Sequence, residues 1–220
     1  MAGPPATPAG TGFPAEAFEF FEGLAADNSK AYWQAHRDLY EEAVAAPLAR
    51  LADALDGEFG PVKCFRPYRD VRFSADKRPY QEHASLAGTG ARGTGVLYFQ
   101  LGLDGVLLAG GAYRPPTAVL TSFRESVDDP AVAASYDAIA ADLASHGITA
   151  LAEPLRTRPR GWPADHPRLD LLRMTNLAVA TTLTPGPWLA GEECVSTVAA
   201  TWRRIDTFNQ WLRDHVPATM

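Results

Sequence analysis

Val96-Leu97-Tyr98-Phe99-Gln100-Leu101-Gly102-Leu103-Asp104-Gly105-Val106-Leu107-Leu108-Ala109 is the stretch that decides the fold. Val96–Leu101 is rich in the aromatic and aliphatic residues that suit a pleated, half-buried surface. Asp104-Gly105 supplies the positive φ that tight hairpin turns need, and Val106–Ala109 returns. Two consecutive strands joined this tightly must pair antiparallel. The Gly110-Gly111 pair that follows predicts a bulge or a close approach of another backbone. Pro115-Pro116 ends the sheet segment.

Helical patterns lie on both sides of this hairpin. Upstream, Phe13-Pro14 opens the first, with Phe18, Phe21, Leu24 and Ala25 on one stripe. Asp27-Asn28-Ser29 carries N-cap residues for a second helix through Tyr32, Trp33, His36, Leu39, Tyr40 and Val44. Pro47 restarts the pattern, and Leu48, Leu51, Leu55 and Phe59 continue it. Val62–Tyr68 reads as a strand that Pro67 keeps at an edge, and 70–91 is too polar and irregular for a regular element over its whole length. Downstream, helices are expected from Thr117, which is placed to cap the first of them, to Val127, and from Pro130 to His146, where Gly147 stops the second. Leu171–Leu183 reads as a helical turn followed by a strand, and Glu192–Leu212 as a last amphipathic helix. Helices, an antiparallel sheet, then helices again is the α+β pattern, with one domain over 13–213 and a disordered tail over 1–12.

Composition narrows the function classes. The chain has 220 residues, long enough for one substantial core, and its 46% hydrophobic content excludes a wholly disordered chain. Charged residues interrupt every apolar run, so no membrane span is expected, and Met1-Ala2-Gly3-Pro4-Pro5 does not read as a secretory leader. A cytoplasmic location follows as the expectation. Cys64 and Cys194 make no disulfide framework; both are expected as reduced, buried residues. The net charge of −6 disfavours a nucleic-acid coat.

That charge is unevenly placed. Lys63, Arg66, Arg69, Arg72, Lys77 and Arg78 outnumber Asp70, Asp76 and Glu82 in one island. In a second, Arg156, Arg158, Arg160, Arg168 and Arg173 outnumber Asp165 and Asp170. Two basic islands in an acidic chain suit a focused anion site, and the islands are expected to converge. The first holds the densest polar run, Arg66-Pro67-Tyr68-Arg69-Asp70-Val71-Arg72-Phe73-Ser74-Ala75-Asp76-Lys77-Arg78-Pro79-Tyr80. Arg66, Arg69 and Arg72 recur every third residue, so one helical turn would align their forks, which bind carboxylate or phosphate bidentately. The same run also supports an internal Arg/Asp network that pins a long loop.

This run resembles the pattern R-x-Y/F-R-D-x-R-F-S-x-D-K-x-P-Y-K of the domain of unknown function 2461 family. Other matches extend the resemblance over about 13–213: Phe13-Pro14 with Phe18, Phe20, Phe21 and Leu24; Asn28 with Tyr32-Trp33, Arg37 and Tyr40; Gly110-Gly111, Tyr113 and Pro115 with Leu120 and Arg124; and Pro159, Gly161, Asp165-His166-Pro167 and Leu171-Leu172-Arg173. The sequence departs from the family at Gln81 and near Thr175, where lysines are usual, and at Tyr32-Trp33 in place of Trp-Phe. The resemblance implies no settled activity.

The remaining motifs are sparse. Asp165-His166 reads either as an acid–base pair or as a turn or cap device. The five histidines are scattered, no metal-ligand spacing recurs, and no cofactor is indicated. Gly88-x-Gly90-x-x-Gly93 lacks the strand and helix of a dinucleotide fingerprint. The leading expectation is an arginine-lined pocket for a small anionic ligand, a phosphate or carboxylate compound, whether merely bound or acted on. Its candidate contacts are Arg66, Arg69, Asp70, Arg72, Ser74, Asp76, Lys77, Tyr80, Arg158, Arg160, His166 and Arg173. The alternatives are a binding module that meets nucleic acid or a partner protein through an Arg/Tyr face, and a purely structural arginine network.

Overall fold

The structure, a computed structural model, describes residues 12–70, 72, 75–90, 95–151 and 153–216. The fold is α+β, with a six-stranded antiparallel sheet in the order β1-β2-β3-β4-β6-β5. The strands are β1 (Lys63–Cys64), β2 (His83–Gly88), β3 (Val96–Gly102), β4 (Gly105–Ala112), β5 (Thr149–Ala150) and β6 (Leu177–Leu183). In chain order the helices are α1 (Glu16–Ala26), α2 (Lys30–Ala35), α3 (Arg37–Tyr40), α4 (Ala46–Phe59), α5 (Thr117–Asp128), α6 (Pro130–Ser145), α7 (Leu169–Leu172), α8 (Pro187–Ala190) and α9 (Glu193–His215). A π-helical turn, Glu41–Ala45, joins α3 to α4. Pro47 stands in the first turn of α4, and its missing N–H breaks the regular ladder there.

The chain divides into two compact units. The first comprises 1–88, 98–108 and 182–201, and the second 89–97, 109–181 and 202–220. In the first unit, the apolar stripes of α1 and α4 bury Phe20, Phe21, Leu24, Leu48, Leu51, Leu55 and Phe59. Each such side chain contributes ~1.5–3 kcal/mol when fully buried. Phe99, Leu101, Val106 and Leu108 alternate with the less buried Tyr98, Gln100 and Leu107, which leaves one sheet face half open to solvent. Gly12 is buried with its Cα against the Ala190 carbonyl, and Phe13 donates its N–H to Leu189. Residues 1–11, most of the expected tail, lie outside the described residues.

In the second unit, α5, α6 and the C-terminal part of α9 bury Phe123, Val127, Tyr136, Phe208, Trp211 and Leu212. Tyr136 and Trp211 meet edge to face at 5.3 Å. Asp129 caps α6 with its carboxylate, and Gly147 turns the chain at φ 72°. The close approach expected at Gly110-Gly111 is present. A Cβ on Gly111 (φ 107°) would lie 2.3 Å from the Leu177 carbonyl oxygen, and one on Gly110 would lie 2.8 Å from that of Val96.

Several expectations need correction. Residues 70–91, read as too polar and irregular for one regular element over their whole length, contain an unexpected strand, β2 at His83–Gly88, whose short run carries too little alternation to show itself. The strand expected over 62–68 shrinks to β1, because Pro67 cannot donate to a ladder. Thr117 does not cap α5; Pro116 occupies that position. Cys64 is exposed at the sheet edge, whereas Cys194 is buried as expected; both are free thiols. Among the described residues no helix is long and apolar enough to cross a membrane, and no cluster of His, Cys, Asp and Glu is arranged to hold a metal.

Candidate functional site

The first basic island lies wholly in the first unit, and it is stitched rather than loose. Tyr68 pairs with Tyr80 in an antiparallel bridge, the Arg69 N–H donates to Pro79, and the Gln81 N–H donates to Pro67. The excursion between them contains one device used twice. Asp70 accepts from the backbone N–H of Arg72 and from its guanidinium, Nη2 at 2.7 Å and Nε at 3.0 Å. Asp76 does the same with Arg78, through the backbone N–H, Nε and Nη2. Each Asp-x-Arg unit closes a tight Asx turn and neutralises its own charge. The Arg78 fork holds the Asp76 carboxyl well below the usual carboxylate range, and the Arg72 fork lowers that of Asp70.

Asn28 ties this loop to the helices. Its Nδ2 donates to the Tyr80 carbonyl at 3.1 Å and to Glu82 Oε1 at 3.2 Å, and its Oδ1 accepts the Tyr80 N–H at 3.0 Å. The Tyr80 ring is buried flat against Trp33, with centroids 4.2 Å apart and planes 7° apart. Glu82 also pairs with Arg78, so a polar chain runs from Asn28 through Glu82, Arg78 and Asp76 to Arg69.

Arg69 stands apart from its neighbours. Its Nη1 meets Asp76 at 2.5 Å, but its buried Nε has no hydrogen-bond partner among the described residues. Arg69 lies in the wall of a cleft of about 460 Å³, with Glu82, His83, Gln100, Asp104 and Thr182. Burial depresses the His83 pKa below 6.5, and the Arg69 charge adds to this against the opposing pull of Glu82. Gly102 keeps the wall low beside His83, since a Cβ there would come within 3.3 Å of the His83 Cβ. A second cleft, of about 400 Å³, is lined by Tyr40, Phe65, Arg66, Tyr68, Tyr98 and several polar groups, again including His83. Tyr98 and Gln100, two apart on β3, put the two clefts on the same sheet face.

The expected contacts therefore separate. No helical turn aligns the three arginines: Arg69 faces one cleft, Arg66 the other, and Arg72 is exposed against Asp70, lining neither. Asp76 serves Arg69 and Arg78, Tyr80 is core, and Lys77 is exposed without lining either cleft. Ser74 lies outside the described residues, as does Gly93 of the glycine-rich run.

The second island lies in the second unit, where most of its cations serve the backbone or nearby carboxylates. Arg173 donates to the Leu155 and Arg156 carbonyls, Arg158 donates to Trp162, and Arg168 forks onto Asp137. Arg160 is exposed. His166 does not pair with Asp165. Its Nδ1 accepts from the Arg168 N–H, which leaves the Nε2 proton to donate to Asp128 at 3.0 Å. Adjacent side chains diverge, so the carboxylate that orients the ring comes from 38 residues away.

Sequence reasoning missed His83, Gln100, Asp104 and Thr182. They come from three strands and a turn, and no local spacing joins them; the polar Tyr98/Gln100 alternation on β3 was the one signal that marked this face. No curated protein and no solved structure matches the chain. A family model does, over residues 16–211, the one described as conserved hypothetical protein, DUF2461. With that match spanning the helices, the sheet and the stitched arginine loop, the chain belongs to the DUF2461 family.

Proposed function

We propose that the protein binds a small anionic ligand, a phosphate or carboxylate compound, in the cleft beside Arg69 and His83. The observation that carries this reading is the Arg69 guanidinium, which stands in the cleft wall with a buried Nε–H that no group among the described residues accepts. A buried donor without an acceptor costs ~1–3 kcal/mol. An anion entering the cleft relieves that cost as the guanidinium turns toward it. The depressed His83 pKa adds a second responsive group, since an anion alongside draws a proton onto the imidazole. Glu82 and Asp104 in the same walls disfavour a polyanion and favour a ligand that also carries hydroxyl donors.

Thermal-shift titration with ribose 5-phosphate and a set of monocarboxylates tests the proposal on wild type, Arg69→Lys and Arg72→Lys. An ammonium cannot reproduce the planar fork, so Arg69→Lys weakens binding by about ten- to a hundredfold. Arg72→Lys leaves it unchanged, because that guanidinium already serves Asp70 outside the cleft. Equal ligand stabilisation of Arg69→Lys and wild type, or none of wild type by any probe, refutes the reading.

A further inference from the structure

We infer that the ligand also carries a planar aromatic or heteroaromatic ring, seated in the second cleft, so that one molecule spans both clefts across His83. This rests on the anion reading above for the position of its charged end.

Phe65 and Tyr68 carry the argument. They are 54% and 60% exposed, uncommon for large rings, and both line the same cleft of about 400 Å³. Their positions are fixed from behind. The Phe65 N–H donates to the Ser85 carbonyl, which holds the residue beside β2, and its ring lies 6.3 Å from that of Tyr98. Tyr68 is bridged to Tyr80 through the backbone, and its ring leans on the Trp33 and Tyr80 rings at 6.1 and 5.5 Å. Rings braced in this way lose little freedom when another ring stacks on them. The cleft also offers the Gln81 amide to the edge of a heterocycle. Arg66 also lines it, and a guanidinium there can stack on or pair with the guest. The volume suits a bicyclic ring, and the lining mixes ring faces with a few polar groups, as small-molecule sites do.

The two clefts share His83 and lie on one sheet face, so a ring in one and an anion in the other belong to a single compact molecule. A nucleoside monophosphate or an aromatic carboxylate has that build. A nucleic-acid strand also stacks on aromatic platforms, but it needs a positive track along its backbone. Glu82, Asp104 and Asp70 line these clefts in a chain of net charge −6.

Isothermal titration of the full chain tests the inference with paired probes: adenosine 5′-monophosphate against ribose 5-phosphate, and indole-3-acetate against acetate. Phe65→Ala and Tyr68→Ala change exposed side chains, and circular dichroism checks that both variants fold. In at least one pair the ring-bearing probe binds about tenfold or more tightly than its ringless partner. Phe65→Ala and Tyr68→Ala remove that advantage and leave the ringless probe unchanged. If neither pair shows a ring advantage, or if the advantage survives both substitutions, the inference is overturned. The anion reading then stands or falls separately on whether ribose 5-phosphate or a monocarboxylate binding needs Arg69. A single-stranded oligonucleotide that binds more tightly than either ring-bearing probe also overturns the inference, in favour of an extended nucleic-acid surface.

Discussion

Replacing Asn28 probes the joint on which the arginine loop hangs. Its side chain makes two hydrogen bonds to the Tyr80 backbone and one to the Glu82 carboxylate, at 3.0–3.2 Å. A neutral bond contributes ~0.5–1.5 kcal/mol net and one to a charged group ~1.5–3, with partial exposure drawing each toward its lower limit. Asn28→Ala therefore destabilises the protein by ~2.5–4 kcal/mol, and at ~2–4 °C per kcal/mol for a chain of this size the melting temperature falls by ~5–15 °C. Asn28→Asp separates the donors from the acceptor. It keeps the acceptor for the Tyr80 N–H, loses both donations, and sets a carboxylate beside that of Glu82. That neighbour raises the new carboxyl's pKa in the folded state, so the folded protein binds the proton more tightly than the unfolded chain. The variant is accordingly least stable at neutral pH and gains on wild type as the pH falls toward 4. Urea midpoints at pH 7 and pH 4.5 measure both effects. If Asn28→Ala loses less than ~0.5 kcal/mol, or Asn28→Asp matches wild type at pH 7, then Asn28 does not anchor the loop.

Three further outcomes follow from the structure. Gly111→Ala forces a Cβ to within 2.3 Å of the Leu177 carbonyl at φ 107°, and combined strain and overpacking cost ~3–5 kcal/mol; Gly57→Ala, with nothing within 4 Å on a helix, gains ~0.5–1 kcal/mol in the same denaturation assay. His83 has a depressed pKa in the fold, so the unfolded chain takes up the proton first, and stability present above about pH 6.5 is lost as the pH falls through the lower folded value. His83→Gln flattens the stability profile across that window, and an unchanged slope would show that His83 is not the titrating group.

The hairpin was legible because its information is local. Val96–Leu101 and Asp104-Gly105 state strand and turn within a dozen residues, and the Gly110-Gly111 pair announced the backbone that now lies against it. The helices were legible through stripes such as Leu48, Leu51 and Leu55. β2 was not, because its pairing with Lys63–Cys64 spans more than twenty residues and its own sequence is small and mixed. The same limit hid the cleft. Arg69 was visible in the densest run of charges, but His83, Gln100, Asp104 and Thr182 join it only after β2, β3, β4 and β6 have assembled into the sheet.

Density of charge therefore misranks the arginines. The most specific stretch of the sequence contains two Asp-x-Arg turns, and in each the guanidinium is consumed two residues from its own carboxylate. Those residues shape the loop. A spacing of three among Arg66, Arg69 and Arg72 suggested one aligned surface, yet the chain is not helical there, and the turns send successive side chains to different places. What distinguishes Arg69 is an imbalance in partners. Asp76 is shared between it and Arg78, whose Nε and Nη2 also engage that carboxylate, so among the described residues the Arg69 guanidinium has its contact to Asp76 and an unanswered Nε–H. A loop stitched tightly enough to exhaust two arginines thereby fixes a third, incompletely paired, in the wall of a cleft. If Arg69 binds an anion as proposed, the structural network and the binding site are not competing accounts of the motif; the first creates the second.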